Sequence, residues 1–168
     1  MSGVFSRDNL LIIGAGQYGQ VAREIAESMG CFDKISFLDD NSPKSVGKIA
    51  DYEKFIIDYE YAIVAIGNSA LRLEFTEKLR IAGYLIAKLI SPMAYISPSS
   101  VIREGCIVEA MSVINTEAEI DECCFISAGA VVNHNSIIKK GCHINCHATV
   151  SSNAVVEEKM KLDYGQII

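Results

Sequence analysis

Residues 114–155 read INTEAE-IDECCF-ISAGAV-VNHNSI-IKKGCH-INCHAT-VSSNAV, seven hexapeptides in a row that each open on Ile or Val. Followed outward, the phase runs without a break from Ile96 to Ile168 through Ile102, Val108, Val156 and Leu162. Four residues after each of these comes a small side chain, as in Ser100, Cys106, Ser112, Ala118, Cys124, Ala130, Ser136 and Cys142; only Met160 and Gln166 depart. A period of six fits neither the 3.6 of a helix nor the 2 of a strand, so it marks a repeat architecture. Three six-residue faces make a triangular coil of about 18 residues, and stacked coils bury the aliphatic positions in one continuous interior. The small residue points inward near each corner, where a larger one would not fit. This pattern predicts a left-handed parallel β-helix over residues 93–168, about four coils long.

The first 92 residues predict a different unit. Leu10–Ile13 reads as a buried strand, Tyr18 to Met29 as an amphipathic helix, and Ile35–Leu38 as a second strand. A loop with Asn41, Ser42 and Pro43 leads to a third strand, Tyr61–Ile66. A helix over Ala70–Ala82 and a fourth strand, Leu85–Ile90, precede the boundary at Ser91-Pro92. Alternating strands and helices predict a parallel α/β sheet, about half of a full dinucleotide-binding fold.

Gly14-Ala15-Gly16-Gln17-Tyr18-Gly19 falls between the first strand and the first helix, where its chemistry requires it. The first glycine permits a tight turn, the second lets backbone approach a diphosphate, and the third lets helix pack on strand. The helix N-terminus then offers free N–H groups to an anion. A purely structural turn is the plainer alternative. Asp39 lies where an NAD-binding fold places its ribose carboxylate. The second half of such a fold is missing, however, and no hydride-transfer domain follows. A nucleotide sugar suits the reduced fold better, its nucleoside meeting Asp39 and Asp40, unless those two residues merely end a strand.

All three histidines lie in the repeats. His134, third in its hexapeptide, is expected to project outward; His143, last in its hexapeptide, is expected at a corner. Nine residues separate them, half a coil, so they emerge on different sides of one prism. In a threefold assembly His134 of one prism could face His143 of the next. A neutral imidazole suits a general base acting on an amine or hydroxyl, and a solvated surface histidine is the alternative. Cys142-His143-Ile144-Asn145-Cys146-His147 imitates a metal motif. Cys142 points into the core while its neighbours point elsewhere, so no metal is expected.

These features in order, with Phe37-Leu38-Asp39-Asp40 and Ala65-Ile66-Gly67-Asn68 followed by Leu71-Arg72, resemble the bacterial sugar O-acyltransferase family. That family contains the sialic acid O-acetyltransferases and the UDP-4-amino-sugar N-acetyltransferases. The resemblance covers nearly the whole chain from Leu10. It implies a homotrimer with acetyl-CoA between adjacent β-helices and a nucleotide-sugar acceptor held by the N-terminal half. It places substrate contacts on Gly16, Gln17, Tyr18, Asp39, Asp40 and Gly67, the catalytic histidine on His134, and acetyl-CoA contacts on His143 and Tyr164. Two departures stand out. The glutamate that follows the catalytic histidine in the 4-amino-sugar enzymes is Asn135 here, which can orient a ring but not stabilise imidazolium as a carboxylate does. The relatives also continue for another coil or two beyond Ile168. The expected activity is acetyl transfer to a nucleotide-linked amino sugar for surface-glycan synthesis. O-acetylation of sialic acid, a non-catalytic nucleotide-sugar-binding trimer and an NAD-dependent protein are the alternatives.

Composition excludes several other classes. Half the residues are hydrophobic and the net charge is −6, with no Lys/Arg stripe to neutralise phosphates, so a nucleic-acid partner is not expected. Met1 to Asn9 lacks a basic stretch followed by a long apolar run, and no apolar run is long enough to span a bilayer. The expected setting is cytoplasmic. The six cysteines, three of them spaced by one coil at Cys106, Cys124 and Cys142, then read as reduced thiols.

Overall fold

A computed structural model describes residues 8–168. Residues 1–7, which include the start of the expected first unit and most of the segment searched for a leader, lie outside the described residues. The chain opens with β1 (Asn9–Ile13), α1 (Gln17–Met29), β2 (Lys34–Leu38) and β3 (Ser45–Gly47). A 3₁₀ turn over Ile49–Phe55 leads to β4 (Tyr61–Val64), α2 (Ser69–Ala82) and β5 (Leu85–Ile86). All five strands are parallel, in the order β3-β2-β1-β4-β5. Every residue of β1 is buried, as expected for a central strand covered on both faces. Both helices end on a left-handed glycine, Gly30 (φ 65°) and Gly83 (φ 101°), the conformation that spares a Cβ clash. The chain runs outward from β1 to β3, then returns to place β4 on the other side of β1. The crevice at the carboxyl ends of β1 and β4 is therefore the switch point where open α/β sheets bind ligands.

Two expectations about this half need correction. The segment read as a loop after Pro43 supplies β3, a three-residue edge strand too short for its alternation to be read in sequence. The run Leu85–Ile90, expected as one strand, is divided between two sheets. The N–H of Ala87 donates to Ala62 O at 2.9 Å within the α/β sheet, whereas that of Leu89 donates to Cys106 O at 2.9 Å in the β-helix. The β-helix ladder accordingly begins at Leu89.

From there the chain winds a left-handed parallel β-helix of two-residue strands. One face stacks Leu89–Ile90, Ile107–Val108, Phe125–Ile126, His143–Ile144 and Lys161–Leu162. The second carries Tyr95–Ile96, Val113–Ile114, Val131–Val132 and Thr149–Val150, and the third Val101–Ile102, Glu119–Ile120, Ile137–Ile138 and Val155–Val156. The aliphatic openers form one core with the inward small residues. The three cysteines at the small position each donate a thiol proton to a carbonyl around the corner: Cys106 to Asp121 O, Cys124 to Lys139 O and Cys142 to Glu157 O. All six cysteines are unpaired.

The corners follow a rule of their own. Every sixth residue from Gly105 to Gly165 has positive φ, and seven of these are not glycine: Met111, Glu117, Cys123, Asn135, His147, Asn153 and Lys159. Left-handed backbone is unfavourable for a side chain bearing Cβ, least so for Asn. The stacking of coils evidently outweighs that cost at each turn.

The two halves share a core. Ala22, Ile25 and Ala26 of α1 pack on Phe37 and Ile63 of the sheet and also on Leu89, Ile107 and Phe125, which project outward from the first β-helix face. The helix α1 is thus sandwiched between sheet and prism. No helix among the described residues is long and apolar enough to cross a membrane.

Candidate active site

The glycine turn separates what the fold demands from what it leaves open. Gly14 has φ 98°, and a Cβ on Gly19 would lie 2.1 Å from Gly14 O. Those two glycines are required by the turn and by the close approach of helix to strand. Gly16 has φ −69° and a Cβ there would meet nothing within 4 Å. At Gly67 a Cβ would meet only the Tyr18 ring, at 3.8 Å. Both glycines are exposed, one at the carboxyl end of β1 and one beyond β4, and Gln17 is exposed beside Gly16. Gly16, at the N-cap, has no side chain with which to cap α1, so the first-turn N–H groups face the same opening.

Asp39 braces this turn from within. Its carboxylate accepts from the N–H of Ala15 at 2.8 Å and from those of Asn41 and Ser42 at 2.9 Å. These bonds, that of Ala15 foremost, hold its carboxyl below the usual carboxylate range. Asp40, exposed, accepts from Ile49 N at 3.1 Å and takes the Lys48 ammonium on its carbonyl.

Tyr18 leaves the turn toward the prism. Its ring packs 5.0 Å from that of Phe125, and its hydroxyl lies 2.9 Å from His143 Nε2. His143 is therefore not at a corner. The last residue of a hexapeptide shares a two-residue strand with the next aliphatic opener, so its side chain leaves the middle of a flat face, and α1 covers that face. The imidazole is 3% exposed and also meets Ser127 Oγ at 3.2 Å. Burial, with the charges of Lys161 and Arg72, pulls its pKa down to about 4, so it is neutral at pH 7. It is closed off inside its own chain and does not face a neighbour.

Arg72, legible in sequence only as part of Leu71-Arg72, binds the halves together. It is fully buried, with its guanidinium 4.0 Å over the Phe125 ring. It donates to Ile66 O and Gly67 O on the sheet side, and to Cys123 O and Gly141 O on the prism side. The loop bearing Gly67 is thereby fixed to the β-helix.

His134 lies on a different edge. It is exposed, and its Nε2 is 2.9 Å from Ser152 Oγ. Ser152 is one coil above, so the 18-residue period that fixed the fold could also have found it. Asn135 is the left-handed corner residue (φ 58°), and its N–H donates to Thr116 O at 3.0 Å. Tyr164 is 74% exposed and close enough to Tyr18 to act on its phenol electrostatically. The structure thus gathers Gly16, Gln17, Tyr18, Gly67, His143 and Tyr164 on one side and leaves His134 and Asn135 on another. The imitation metal motif disperses: Cys142 turns inward, His143 meets Tyr18, and the His147 ring packs over Gly129.

Comparison with known proteins agrees with this architecture. A family model described as the PglD N-terminal domain matches residues 9–79. The UDP-N-acetylbacillosamine N-acetyltransferase of Bacillus subtilis (strain 168) is 29% identical over 112 residues, covering 61% of this chain and 51% of that protein. The chain therefore spans about half the length of that curated relative. Among solved structures, the acetyltransferase domain of PglB from Neisseria gonorrhoeae FA1090 superimposes with a TM-score of 0.91 at 28% identity, covering 95% of this chain and 82% of that one. The same domain in complex with acetyl coenzyme A gives 0.90 at 28% identity, covering 96% and 82%. PerB from Caulobacter crescentus, in complex with CoA and GDP-perosamine, shares the fold with a TM-score of 0.69 at 23% identity, covering 92% and 91%. Both halves of the chain are thus similar to sugar acetyltransferases: residues 9–79 to the PglD N-terminal domain, and the whole fold, with its left-handed hexapeptide β-helix, to the acetyltransferase domain of PglB.

Proposed function

We propose that the protein is an acetyl-CoA-dependent N-acetyltransferase acting on a nucleotide-linked amino sugar in surface-glycan synthesis, working in the cytoplasm as a homotrimer. The observation that carries this reading is the pairing, in one chain, of an open glycine groove at a helix N-terminus with an exposed histidine on a β-helix edge. The similarity to an N-acetyltransferase of a UDP-sugar and to a domain solved with acetyl-CoA supports it.

Residues 1–92 serve the acceptor and residues 93–168 the acyl donor. Gly16, Gln17 and Gly67 line the groove where backbone can approach the diphosphate, with Tyr18 beside it. Asp39 acts mainly by bracing the turn, and Asp40 stands at its rim. Acetyl-CoA supplies the acetyl group as a thioester. Tyr164 is exposed to it, whereas the His143 ring is occupied by Tyr18 and Ser127. His134 takes the proton of the attacking sugar amine, oriented by Ser152 in place of an acidic neighbour. Asn135 shapes the corner that projects His134. Most of the gain comes from holding both reactants together. Because His134 and the groove lie on different sides of one prism, His134 works on the acceptor held by a neighbouring subunit. Ile137 and Val155, on adjacent coils of one face and each more than 40% exposed, offer apolar surface for that association, with Val101 two coils earlier across Glu119.

The test is acetyl transfer to a panel of UDP-4-amino-sugars and sialic acids, followed by product mass. One acetyl is gained on a nucleotide amino sugar, and His134→Ala lowers turnover by about 10²- to 10⁴-fold while nucleotide-sugar binding persists. Binding without transfer in the wild type overturns the enzyme in favour of a binding module.

A further inference from the structure

Arg72 carries a charge that its contacts do not balance. It is fully buried, and its four acceptors are all neutral carbonyls: Ile66 O at 2.8 Å, Gly67 O at 3.2 Å, Cys123 O at 2.8 Å and Gly141 O at 2.9 Å. Among the described residues no carboxylate forms an ion pair with it. It also stands at the fourth position of α2, near the positive end of the helix dipole, where a cation is disfavoured. The carbonyl oxygens and the Phe125 ring offset part of this cost. A buried charge remains expensive until an opposite charge comes near it.

The contacts on the sheet side show where an anion fits. One guanidinium nitrogen, Nη1, holds the carbonyls of two consecutive peptides, Ile66–Gly67 and Gly67–Asn68. In a trans peptide the N–H lies opposite the C=O, and no peptide bond among the described residues is cis. The N–H groups of Gly67 and Asn68 therefore point away from Arg72, and neither meets an acceptor among the described residues. Both residues are exposed, and Gly67 stands beside the Tyr18 ring at the glycine groove. Successive backbone N–H groups facing one side suit an anion, and those of the first turn of α1 face the same opening. Burial raises the pKa of the Tyr18 phenol and lowers that of the His143 imidazole, and on both the Arg72 charge pulls downward. Its field thus reaches this wall. The lysines nearest the rim, Lys44 and Lys48, are exposed and turned to Gln20 and to the Asp40 carbonyl, where solvent screens them.

We propose that Arg72 is a positioning residue for the diphosphate of the bound nucleotide: from behind the wall it turns the N–H groups of Gly67 and Asn68 into the groove and sets a buried positive charge behind them. Arg72 does not touch the ligand; the backbone does. A charge inside a low-dielectric wall acts over a longer range than one in water, so a single peptide layer does not cancel it. The inference rests on the nucleotide reading proposed above. It adds that Arg72 senses the charge of the ligand and not its nucleoside.

Calorimetric titration of the full chain with UDP and with uridine tests this. The wild type prefers UDP. Arg72→Met weakens UDP about 10-fold or more and uridine no more than about twofold, the loss of a charge-assisted interaction. Arg72→Lys keeps the charge without the fork and restores most of the preference for UDP. Equal losses for UDP and uridine in Arg72→Met, or a preference as low in Arg72→Lys as in Arg72→Met, overturn the proposal, because a wall that merely loosens does not sort ligands by charge. The wild type decides the matter even where a variant does not fold. In its ¹⁵N NMR spectrum UDP, and not uridine, shifts the amide signals of Gly67 and Asn68. Amides at Gly16 and Gln17 that respond to UDP while those two stay still refute the role of Arg72 alone. A wild type that binds neither ligand refutes the nucleotide reading and this inference with it.

Discussion

Two histidines nine residues apart in one β-helix occupy opposite environments. His143 leaves the middle of a flat face, which α1 covers, and ends as a neutral, sealed hydrogen-bonding group between Tyr18 and Ser127. His134 leaves a corner that none of the described residues covers, and its ring meets the hydroxyl of Ser152 on the next coil. The difference arises from position within the hexapeptide and not from residue type. A group on a face packs against the N-terminal half and becomes part of the structure. A group at a corner stays available for chemistry. Variants on the seam should accordingly register in stability first, and variants on the corner edge in turnover alone.

The largest expected effect lies at the seam, at Arg72. Arg72→Met keeps much of the volume over Phe125 but leaves carbonyls of Ile66, Gly67, Cys123 and Gly141 without their donor. The expected loss is about 3–5 kcal/mol of unfolding free energy in urea. Arg80, also on α2, is the control. It meets Glu77, Glu104 and Glu122, but its side chain is 37% exposed. Arg80→Met should cost about 1 kcal/mol or less because solvent screens such pairs. Equal losses would mean that the seam is not the structural hub. The arginine facing three carboxylates should thus matter less than the one facing none.

Arg72 also marks where sequence reading stopped. The β-helix was legible because its period repeats over more than four coils, and the glycine turn because its spacing and flanking elements agree. The Arg72 acceptors on the prism, Cys123 and Gly141, lie 51 and 69 residues away, and no local pattern reports such contacts. The division of Leu85–Ile90 was hidden for a related reason. Both pieces are apolar, and only the tertiary partners, Ala62 and Cys106, assign them to different sheets. His143 was misplaced because period and phase give the radial direction of a residue but not what covers it. Ser152 was within reach, since it repeats the position of His134 one coil later. The left-handed corners were also periodic, but their residues share a conformation and not a chemistry, from Gly105 to Met111 to Lys159.

A smaller effect tests the sealed state of His143 directly. Its folded pKa is depressed to about 4 from the ordinary 6.5, so between these values the unfolded chain binds more protons than the folded one. Stability therefore rises with pH across that window and falls on acidification through it, by about 3 kcal/mol. Below about pH 4 both states carry the proton and this contribution is gone. His143→Gln should flatten that part of the stability–pH curve in thermal or urea unfolding, while His134→Gln should leave it in place. An unchanged slope in His143→Gln would show that the imidazole titrates freely and that the two histidines do not differ as described.

The smallest effects separate the residues around His134. Asn135 occupies a left-handed corner with φ 58°, a conformation that glycine adopts without strain. If its task is to turn the chain, Asn135→Gly should leave kcat within about twofold and stability within about 0.5 kcal/mol. Ser152→Ala removes the hydroxyl 2.9 Å from His134 Nε2. It should lower kcat about 3- to 10-fold, the value of one neutral hydrogen bond, with KM unchanged. The acidic limb of the rate profile provides a second readout. A carboxylate beside an imidazole favours its charged form, so Ser152→Asp should move that limb to higher pH, a shift that packing alone would not cause. Loss of turnover in Asn135→Gly with none in Ser152→Ala would reverse the assignment, giving the orienting role to the corner residue and leaving the serine a bystander.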